Sequence, residues 1–481
     1  MVKRIKDMSR RELLKLFGIT AGATIADPAA WPRQVMAQDS KVTPRRTARN
    51  CIVIQNGGAM SPWETLDLKQ TKWTANDLEI QKINADFNLS KTLFPRGVDV
   101  WAPRASLVRS LHGGALVHFP AQYHTQAGRA LNTAIVREIP AFGSIVAKEL
   151  DHERRDTDTF PTYMSFDMWN IRCSPIGSGM LPPRFAGLDL NTNSVFNSFG
   201  AGGDKDSVLS ERWEMLGRWS EVSASNELIG PKADEYVSAY DYGFKILQDA
   251  RFKKVLSVTD EDKKRYGVDQ DTGVAKIGLG MMLARNVLAA DAGARMLWVA
   301  NGFSGGNGGF DNHSNLYSHK NTPSAGAIPI YMSCPRLDRA LSSLIEDLVK
   351  MPGKTPGKSM LDETLIVLIH EFGRSTEMNP AGGRDHFGDH YTDMFIGGGV
   401  KPGRVIGKSD ETGEKLLDVG WKYKEQPMMD HVVSTIYSAL GIDYSKKITD
   451  TPSGRAYEYQ QTAPLGGPGF IPRSEINELF V

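Results

Sequence analysis

The sequence has few cysteines and no pair of them at short spacing. Cys51, Cys173 and Cys334 are the three cysteines in 481 residues. A disulfide framework is therefore not indicated, and zinc ribbons and C-x-x-C redox motifs are excluded. A Walker A loop is also absent from the sequence, which excludes the phosphate-binding motif of P-loop nucleotide hydrolases.

The chain also lacks an excess of charge of either sign. Lysine and arginine number 57, aspartate and glutamate number 56, and the formal net charge is +1. Binding to nucleic acid or to an anionic membrane through the overall field is therefore not expected. An anionic ligand would have to be held by a local cluster of side chains.

The first forty residues differ from the rest of the chain. Arg10 and Arg11 follow a basic start and precede an apolar stretch interrupted by an acidic residue and a proline. A membrane span needs about 20 apolar residues, so stable membrane insertion is not expected. Twin arginines before a modest apolar region resemble a bacterial Tat export signal, with an amphipathic N-terminal helix as the alternative. We expect residues 1–37 to be removed and the mature protein to lie in the periplasm or outside the cell.

Short apolar runs bounded by turn residues predict buried strands. They are CIVIQ from residue 51, SLVRSL from 106, RMLWVA from 295, TLIVLIH from 364 and DMFIGGG from 393. Helical spacing of apolar residues predicts helices within 276–294, 334–351 and 430–441. Alternating strands and helices predict a layered α/β domain with a largely parallel central sheet flanked by helices. We assign this domain to residues 38–445 and a Pro/Gly-rich C-terminal extension to 446–481.

Acids follow three of the predicted strands, and imidazoles follow two of them. The strand near 51 is followed by Ser61, Glu64 and Asp67, the strand near 295 by Asp311 and His313, and the strand near 364 by His370, Glu371, Arg374, Arg384, Asp385, His386 and His390. Sites in α/β sheets gather at the carboxyl ends of strands. Carboxylates and imidazoles together suit zinc, manganese or a similar divalent ion, so these loops predict one shared metal site. Taken alone, Asp311-x-His313 also suits a solvated turn, and Asp385 also suits the orientation of His386.

Two arginines and two further histidines flank these segments. Arg374 and Arg384 either form surface ion pairs with neighbouring acids or hold a phosphate- or sulfate-like group through their planar forks. His118 and His124 follow the strand near 106 and are either substrate contacts or hydrogen-bonded structural histidines. The GFSGG segment from residue 302 matches G-x-S-x-G, but glycines follow where a serine nucleophile elbow needs a helix.

Taken in order, these segments resemble the exported, sulfatase-like family known as domain of unknown function 1501. The resemblance rests on the twin-arginine start and on NGGAMSPWETLDLK, HFPAQYHTQAG, GFDNHSN, HEFGRS and GGRDHFG. It implies an alkaline-phosphatase-like α/β fold with a mixed, largely parallel sheet. It also implies one or two divalent metal ions (Zn, Mn, Ca or Mg) and the transfer or hydrolysis of phosphate or sulfate groups.

The resemblance implies roles for particular residues. The implied metal-site residues are Asp311, His313, Glu371, Asp385, His386 and Asp67. Glu64 occupies the first acid position of the family's D-T-F-D pattern, and its longer side chain makes Asp67 the preferred ligand there. Ser61 is the nearest candidate nucleophile. Arg374 would be structural or would contact the anion, and Arg374 or Arg384 would neutralise the remaining anionic oxygens.

The expected function is an exported, metal-dependent hydrolase of phosphate or sulfate esters. Its substrate would be a small anionic ester, and the Tat export machinery would be a transient partner. The alternative is a catalytically silent envelope or secreted binding protein that keeps the sulfatase-like fold.

Overall fold

The computed structural model describes a large part of the chain. The described residues are 42–192, 195, 210–211, 213–215, 217–218, 242–268, 277–302, 309–320, 327–461 and 473–481. The predicted export signal and most of the GFSGG segment lie outside these residues. Within them, no helix has both the length and the apolar character that a membrane crossing needs.

The strands and helices follow in chain order. The strands are β1 (Asn50–Asn56), β2 (Ile80–Lys82), β3 (Asn88–Ser90), β4 (Ala105–Leu111), β5 (Tyr163–Phe166), β6 (Leu188–Leu190), β7 (Met296–Asn301), β8 (Thr364–Ile369), β9 (Gly373–Arg374), β10 (His386–Phe387), β11 (Tyr391–Ile396), β12 (Val405–Ile406), β13 (Lys408–Ser409), β14 (Leu416–Asp418), β15 (Lys447–Ile448) and β16 (Tyr457–Glu458). The helices are α1 (His118–Ala127), α2 (Phe142–Glu149), α3 (Ala250–Leu256), α4 (Asp260–Tyr266), α5 (Ile277–Ala290), α6 (Ile330–Lys350) and α7 (Met429–Ala439). The five predicted strands correspond to β1, β4, β7, β8 and β11, and the three predicted helices to α5, α6 and α7.

Eight strands form the central sheet, in the order β12-β4-β11-β8-β1-β7-β5-β6. β1 pairs in parallel with β7 and β8, and β5 pairs in parallel with β7 and β6. β11 is antiparallel to both β4 and β8. The expected mixed, largely parallel α/β sheet is therefore confirmed. β1, β4, β7 and β8 all end at one edge of the sheet, and the chain enters β11 from that same edge.

The sheet is buried on both faces. β1, β7 and β8 are buried along their whole length, as expected for strands covered on two sides. Successive side chains of a strand point to opposite faces. Leu297 and Val299 of β7 belong to the core that includes α5 and α6. Trp298 instead packs against Phe142 of α2, with ring centroids 5.3 Å apart, and Phe142 in turn lies 6.2 Å from the ring of Tyr437 of α7.

The described parts of the C-terminal segment 446–481 pack against α2 and α7. Residues 43–481 group into one unit by their contacts. The amide of Ile476 donates to Thr435 Oγ1 at 2.9 Å, and the Ile476 side chain is buried. Glu149 of α2 accepts from the hydroxyl of Tyr459 at 2.6 Å and from Lys446 Nζ at 2.5 Å. The extension proposed from its composition is thus fastened to the α2–α7 side of the sheet.

Glu149 should make this attachment dependent on pH. Burial tends to raise the pKa of Glu149, but hydrogen bonds from Lys446, Tyr459 and Lys148 outweigh it and lower the pKa to about 2. A lowered folded-state pKa means that the contribution is complete above about pH 4.5 and is lost as the pH falls towards 2. Glu149→Gln should therefore reduce the free energy of unfolding by about 1–2 kcal/mol at pH 7 and by less at pH 3.5.

Denaturant unfolding at the two pH values measures this difference. Glu79→Gln is the matched control, because Glu79 is exposed and lies 3.5 Å from Lys91, which is also exposed. An equal loss of stability for Glu149→Gln at both pH values would contradict the assignment.

Candidate metal centre

Four side chains converge at the sheet edge where β1, β4, β7 and β8 end. They are His118, Asp311, His313 and His386, and one ligand atom from each lies within 4.8 Å of the others. His118 is the first residue of α1, which follows β4, and Asp311 and His313 follow β7. His386 lies in β10, which pairs with β9 between β8 and β11. The predicted convergence of 311–313 with 385–386 is thus present in the structure. We call these four residues the His/Asp cluster.

Two glycines allow the segments to meet at backbone contact. Gly58, after β1, has φ +89°, and a Cβ there would lie 2.4 Å from the amide nitrogen of Asp311. A Cβ on Gly383 would lie 2.1 Å from the carbonyl carbon of His313. The amide of Arg384 donates to Asn312 O at 2.9 Å. Larger residues at either glycine would push the loops of the cluster apart.

The three imidazoles present their Nε2 atoms to one carboxylate. Nε2 of His118 is 3.3 Å from Asp311 Oδ2, and Nε2 of His313 and His386 are 3.1 and 3.3 Å from Asp311 Oδ1. The Nε2 atoms of His313 and His386 are 3.0 Å from each other. The cluster therefore combines three nitrogen donors and a carboxylate around a small volume.

The opposite nitrogen of each imidazole faces an acceptor. Nδ1 of His118 is 2.5 Å from Glu371 Oε1, and Nδ1 of His313 is 2.9 Å from Asp385 Oδ1. Nδ1 of His386 is 2.7 Å from the carbonyl oxygen of Leu116. A carbonyl oxygen or an ionised carboxylate only accepts, so these partners assign the proton to Nδ1 in each neutral ring. The Nε2 lone pairs then point at one another and at Asp311, an arrangement that requires a cation or added protons between them.

Charge within the cluster supports the same conclusion. With neutral imidazoles, the carboxylates of Asp311, Glu371 and Asp385 face a single guanidinium, that of Arg374. Two negative charges then remain, which one divalent cation would balance. Ligating histidines whose second nitrogen donates to a carboxylate or carbonyl are typical of zinc sites. The residues thus fit a divalent transition metal.

Protonation is the other way to balance these charges. Burial tends to lower the pKa of His118, but hydrogen bonds to Asp311 and Glu371 outweigh it and raise the pKa above its ordinary value. The hydrogen bond to Asp311 likewise raises the pKa of His313. Burial would raise the pKa of Asp311, but its histidine partners and Arg374 hold it far below its usual range. Protons and metal ions should therefore compete for the Nε2 atoms.

Arg374 fastens the loop after β1 to the cluster. It is fully buried, and its Nε donates to Ala59 O at 3.2 Å while Nη1 donates to Arg384 O at 3.0 Å. Nη2 bonds to the carbonyl oxygen of Gly58 and to the carboxylate of Asp311. Nη1 also lies 3.4 Å from Nε2 of His313. Its donors are taken by protein acceptors, so Arg374 neutralises Asp311 rather than an external anion.

Glu371 and Asp385 differ from their predicted role as direct ligands. Both contact the Nδ1 side of a cluster histidine, which places them one layer outside the Nε2 atoms. Glu371 Oε1 also accepts from the amide of Gly58 at 3.1 Å, and Asp385 Oδ1 accepts from Asn379 Nδ2 at 3.0 Å. These carboxylates orient the histidines.

Asp67 is not among the four cluster residues. Its Oδ1 lies 3.2 Å from both Lys69 Nζ and Arg109 Nε, and its Oδ2 accepts from Ser409 Oγ at 2.5 Å. The predicted metal role of Asp67 is therefore corrected to that of a buried ion-pair partner. Arg109 lies in the strand β4, and no residue spacing in the sequence predicts that it pairs with Asp67.

Arg384 and Glu64 form a second buried pair. Nε and Nη2 of Arg384 lie 3.0 and 2.5 Å from Glu64 Oε1, and Nη1 donates to Ser375 O at 3.0 Å. The hydroxyl of Tyr317 donates to the same Glu64 oxygen at 2.5 Å. The expected contact of Arg384 with an anionic substrate is corrected accordingly, since the guanidinium holds the loop after β1 against the segment before β10.

The remaining predicted residues, His124, Ser61 and His118, have different surroundings. His124 is buried and its Nε2 lies 2.7 Å from Asp430 Oδ2, which makes it a structural link between α1 and α7 rather than a substrate contact. Ser61 is buried, and its hydroxyl has no hydrogen-bond partner among the described residues. His118, predicted to contact substrate, instead completes the His/Asp cluster. His118 follows β4, which ends at the same edge of the sheet as β1, β7 and β8. This position is the signal that could have identified His118 as a ligand.

Metal binding should depend on both layers of the centre. In chelator-stripped protein titrated with Zn²⁺ or Mn²⁺, we expect His386→Ala to abolish tight binding and Glu371→Gln to weaken it about 10- to 100-fold. Calorimetry with elemental analysis measures affinity and stoichiometry. His152→Ala is the control, because the His152 side chain is 70% exposed and lies near Glu153 rather than in the cluster. Equal affinity of all three variants and the wild type would refute the metal assignment.

Several solved structures are similar to this chain at low sequence identity. The lipoteichoic acid synthase LtaP from Listeria monocytogenes is similar over 88% of this chain and 78% of its own, with 9% identity and a TM-score of 0.37. An alkaline phosphatase superfamily protein from Vibrio parahaemolyticus is similar over 91% and 76%, with 11% identity and a TM-score of 0.37. The periplasmic domain of EptC from Escherichia coli, in complex with Zn, is similar over 84% and 85%, with 8% identity and a TM-score of 0.37.

No curated protein matches the chain by sequence. The model of one family, described as "Protein of unknown function (DUF1501)", matches residues 48–464. This range contains the four residues of the His/Asp cluster and both carboxylates that orient its histidines. The chain belongs to the DUF1501 family.

Proposed function

We propose that this protein is an exported, metal-dependent hydrolase of phosphate or sulfate esters. The observation that supports it is the set of three inward-facing Nε2 atoms around Asp311 at the carboxyl edge of the sheet. This edge is where α/β sheets place their sites. The small anionic ester and the Tat machinery belong to the proposal as substrate and export partner.

The chemistry follows from what the residues can hold. A bound divalent ion would supply Lewis-acid polarisation of the anionic ester and would lower the pKa of a coordinated hydroxyl or water. His118, Asp311, His313 and His386 would hold it, with Glu371 and Asp385 fixing two of the rings. In direct hydrolysis a water oxygen becomes bonded to phosphorus or sulfur, the ester bond breaks, and the alcohol leaves with a proton. With a serine nucleophile, Oγ first becomes bonded to phosphorus or sulfur while the alcohol leaves with the serine proton, and water then cleaves the new ester and restores the hydroxyl.

Ser61 is the candidate nucleophile in this proposal. It lies three residues beyond Gly58, whose amide and carbonyl contact Glu371 and Arg374. Its hydroxyl is buried without a hydrogen-bond partner among the described residues, a costly condition for a polar group. Orphaned buried polar groups require an explanation, and attack on a bound ester is one.

A second function is favoured by the two buried arginines. Arg374 and Arg384 donate to protein acceptors, so neither guanidinium is directed at a bound anion. A protein that binds a metal and a ligand without turnover needs no such clamp. The catalytically silent binding protein is therefore the alternative.

A panel of aryl and alkyl phosphates and sulfates separates the two functions. For a hydrolase, Asp311→Asn should lower kcat/KM about 100-fold or more while circular dichroism shows an intact fold. Ser61→Ala should cause a comparable loss if Ser61 is the nucleophile and little loss if water attacks directly. Asp418→Asn is the control at an exposed acid in β14. Tight metal binding with no turnover on any ester would refute the hydrolase and favour the binding protein.

Export should depend on the twin arginines. Replacing Arg10 and Arg11 together by lysine should leave an uncleaved precursor inside the cell, because the Tat signal is read at these positions. Cell fractionation and intact mass measure location and cleavage. Exchanging Lys3 and Arg4 preserves the charge and is the control. Normal export of the twin-lysine variant would contradict the Tat route.

A further inference from the structure

Three exposed apolar side chains flank His118. Leu116, Val117 and Phe119 are 50%, 63% and 49% exposed. Single exposed apolar residues are common on protein surfaces, but contiguous ones mark interaction or ligand-binding sites. We call these three residues the apolar lip.

The apolar lip is fixed to the His/Asp cluster. The carbonyl oxygen of Leu116 lies 2.7 Å from Nδ1 of His386, and a Cβ on Gly388 would lie 3.0 Å from Leu116 Cδ2. The His118 ring lies 4.5 Å from that of His386 and 5.1 Å from that of Phe372, centroid to centroid. The lip residues are one or two positions from His118 in the chain, so a ligand lying on the lip would be next to the Nε2 atoms of the cluster.

The sequence at this point departs from what the helix alone would favour. Val117 is the N-cap of α1 and provides no side-chain hydrogen bond. A serine, threonine, asparagine or aspartate side chain at this position would accept a hydrogen bond from a free amide of the first turn and would also be hydrophilic. Departures from local rules are expected at functional sites. A valine there keeps the surface beside His118 apolar.

A second exposed aromatic residue lies at the same edge of the sheet. Trp169 is 66% exposed and follows β5, which runs parallel to β7. The segment after it is tied to α1, since the amide of Cys173 donates to Gln122 Oε1 at 3.1 Å. Apolar surface is thus present on two segments of this edge.

We propose that the substrate is an amphiphilic ester whose anionic group binds at the His/Asp cluster and whose alkyl or aryl group lies on the apolar lip. This inference rests on the proposed function and specifies its substrate class. Ligand pockets commonly combine a few polar groups that fix orientation with apolar surface that supplies affinity. Here the cluster supplies the first and the lip the second.

Alkylphosphonates and alkylsulfonates test the lip without requiring turnover. Calorimetric titration of the full-length, zinc-loaded protein with methyl, butyl and octyl members should show Kd falling about two- to fourfold per methylene. In the double variant Val117→Ser and Phe119→Ser, the ratio of methyl to octyl Kd should fall at least tenfold. Phe119→Leu should retain the wild-type ratio. Leu417→Ser, at a site 63% exposed in β14, is the matched control.

The outcomes separate the lip from the chemistry. A Kd independent of chain length, or an equal dependence in wild type and double variant, overturns the lip. A double variant that changes only vesicle binding or self-association also overturns it and assigns the surface to a membrane or a second copy. Chain-length dependence without hydrolysis of any alkyl phosphate or sulfate supports the lip while refuting the hydrolase.

Discussion

The constraint on which the site depends is the repulsion among the Nε2 lone pairs of the cluster histidines, which face one another and the carboxylate of Asp311. Each cluster imidazole has an acceptor on its Nδ1 side, so in the neutral ring the lone pair lies on Nε2. Two of these Nε2 atoms lie 3.0 Å apart, a distance that is favourable only when positive charge lies between them or on them. The surrounding structure keeps the rings in place despite this. The acceptors come from three segments, those that include Leu116, Glu371 and Asp385, so the tertiary fold, rather than any local motif, sets the tautomers.

The sequence was sufficient for the sheet because its main strands are fully buried and therefore read as continuous apolar runs. It was insufficient for β5 and β6, whose short segments YMSF and LDL are too brief for a periodicity. The convergence of Asp311 and His313 with His386 followed from strand topology, since strands that run in parallel end at one edge. Topology places residues to within a loop, and it does not resolve which of two adjacent groups coordinates and which one orients. For that reason Glu371, predicted as a ligand, instead contacts the Nδ1 side of a histidine, and His118, predicted to contact substrate, lies in the cluster.

The arginines show the same limit from the side of electrostatics. An arginine near acids in a glycine-rich loop can either bind an external anion or form an internal ion pair. The same spacing of residues in the sequence is compatible with both roles. Burial decides, because a buried charge is tolerated only with partners on nearly every donor. Arg374 has such partners in Ala59, Arg384, Gly58 and Asp311. Arg384 has them in Glu64 and in the carbonyls near residue 375. Each arginine therefore holds neighbouring loops of the site together instead of pointing into the site.

Glu371 connects the His/Asp cluster to the loop after β1. Its Oε1 accepts from the amide of Gly58 and faces Nδ1 of His118, while its Oε2 is buried without a partner among the described residues. An ionised carboxylate in that position is costly unless positive charge lies close by. Arg374 lies nearby but is paired with Asp311, so the direct compensation comes through His118, either as imidazolium or as a ligand polarised by a cation. Because binding free energy at such a site is also folding free energy, loading the cluster should tighten the loop after β1 and the start of α1 together. The apolar lip lies at that same start of α1 and is joined to the cluster through the carbonyl oxygen of Leu116, which lies 2.7 Å from Nδ1 of His386.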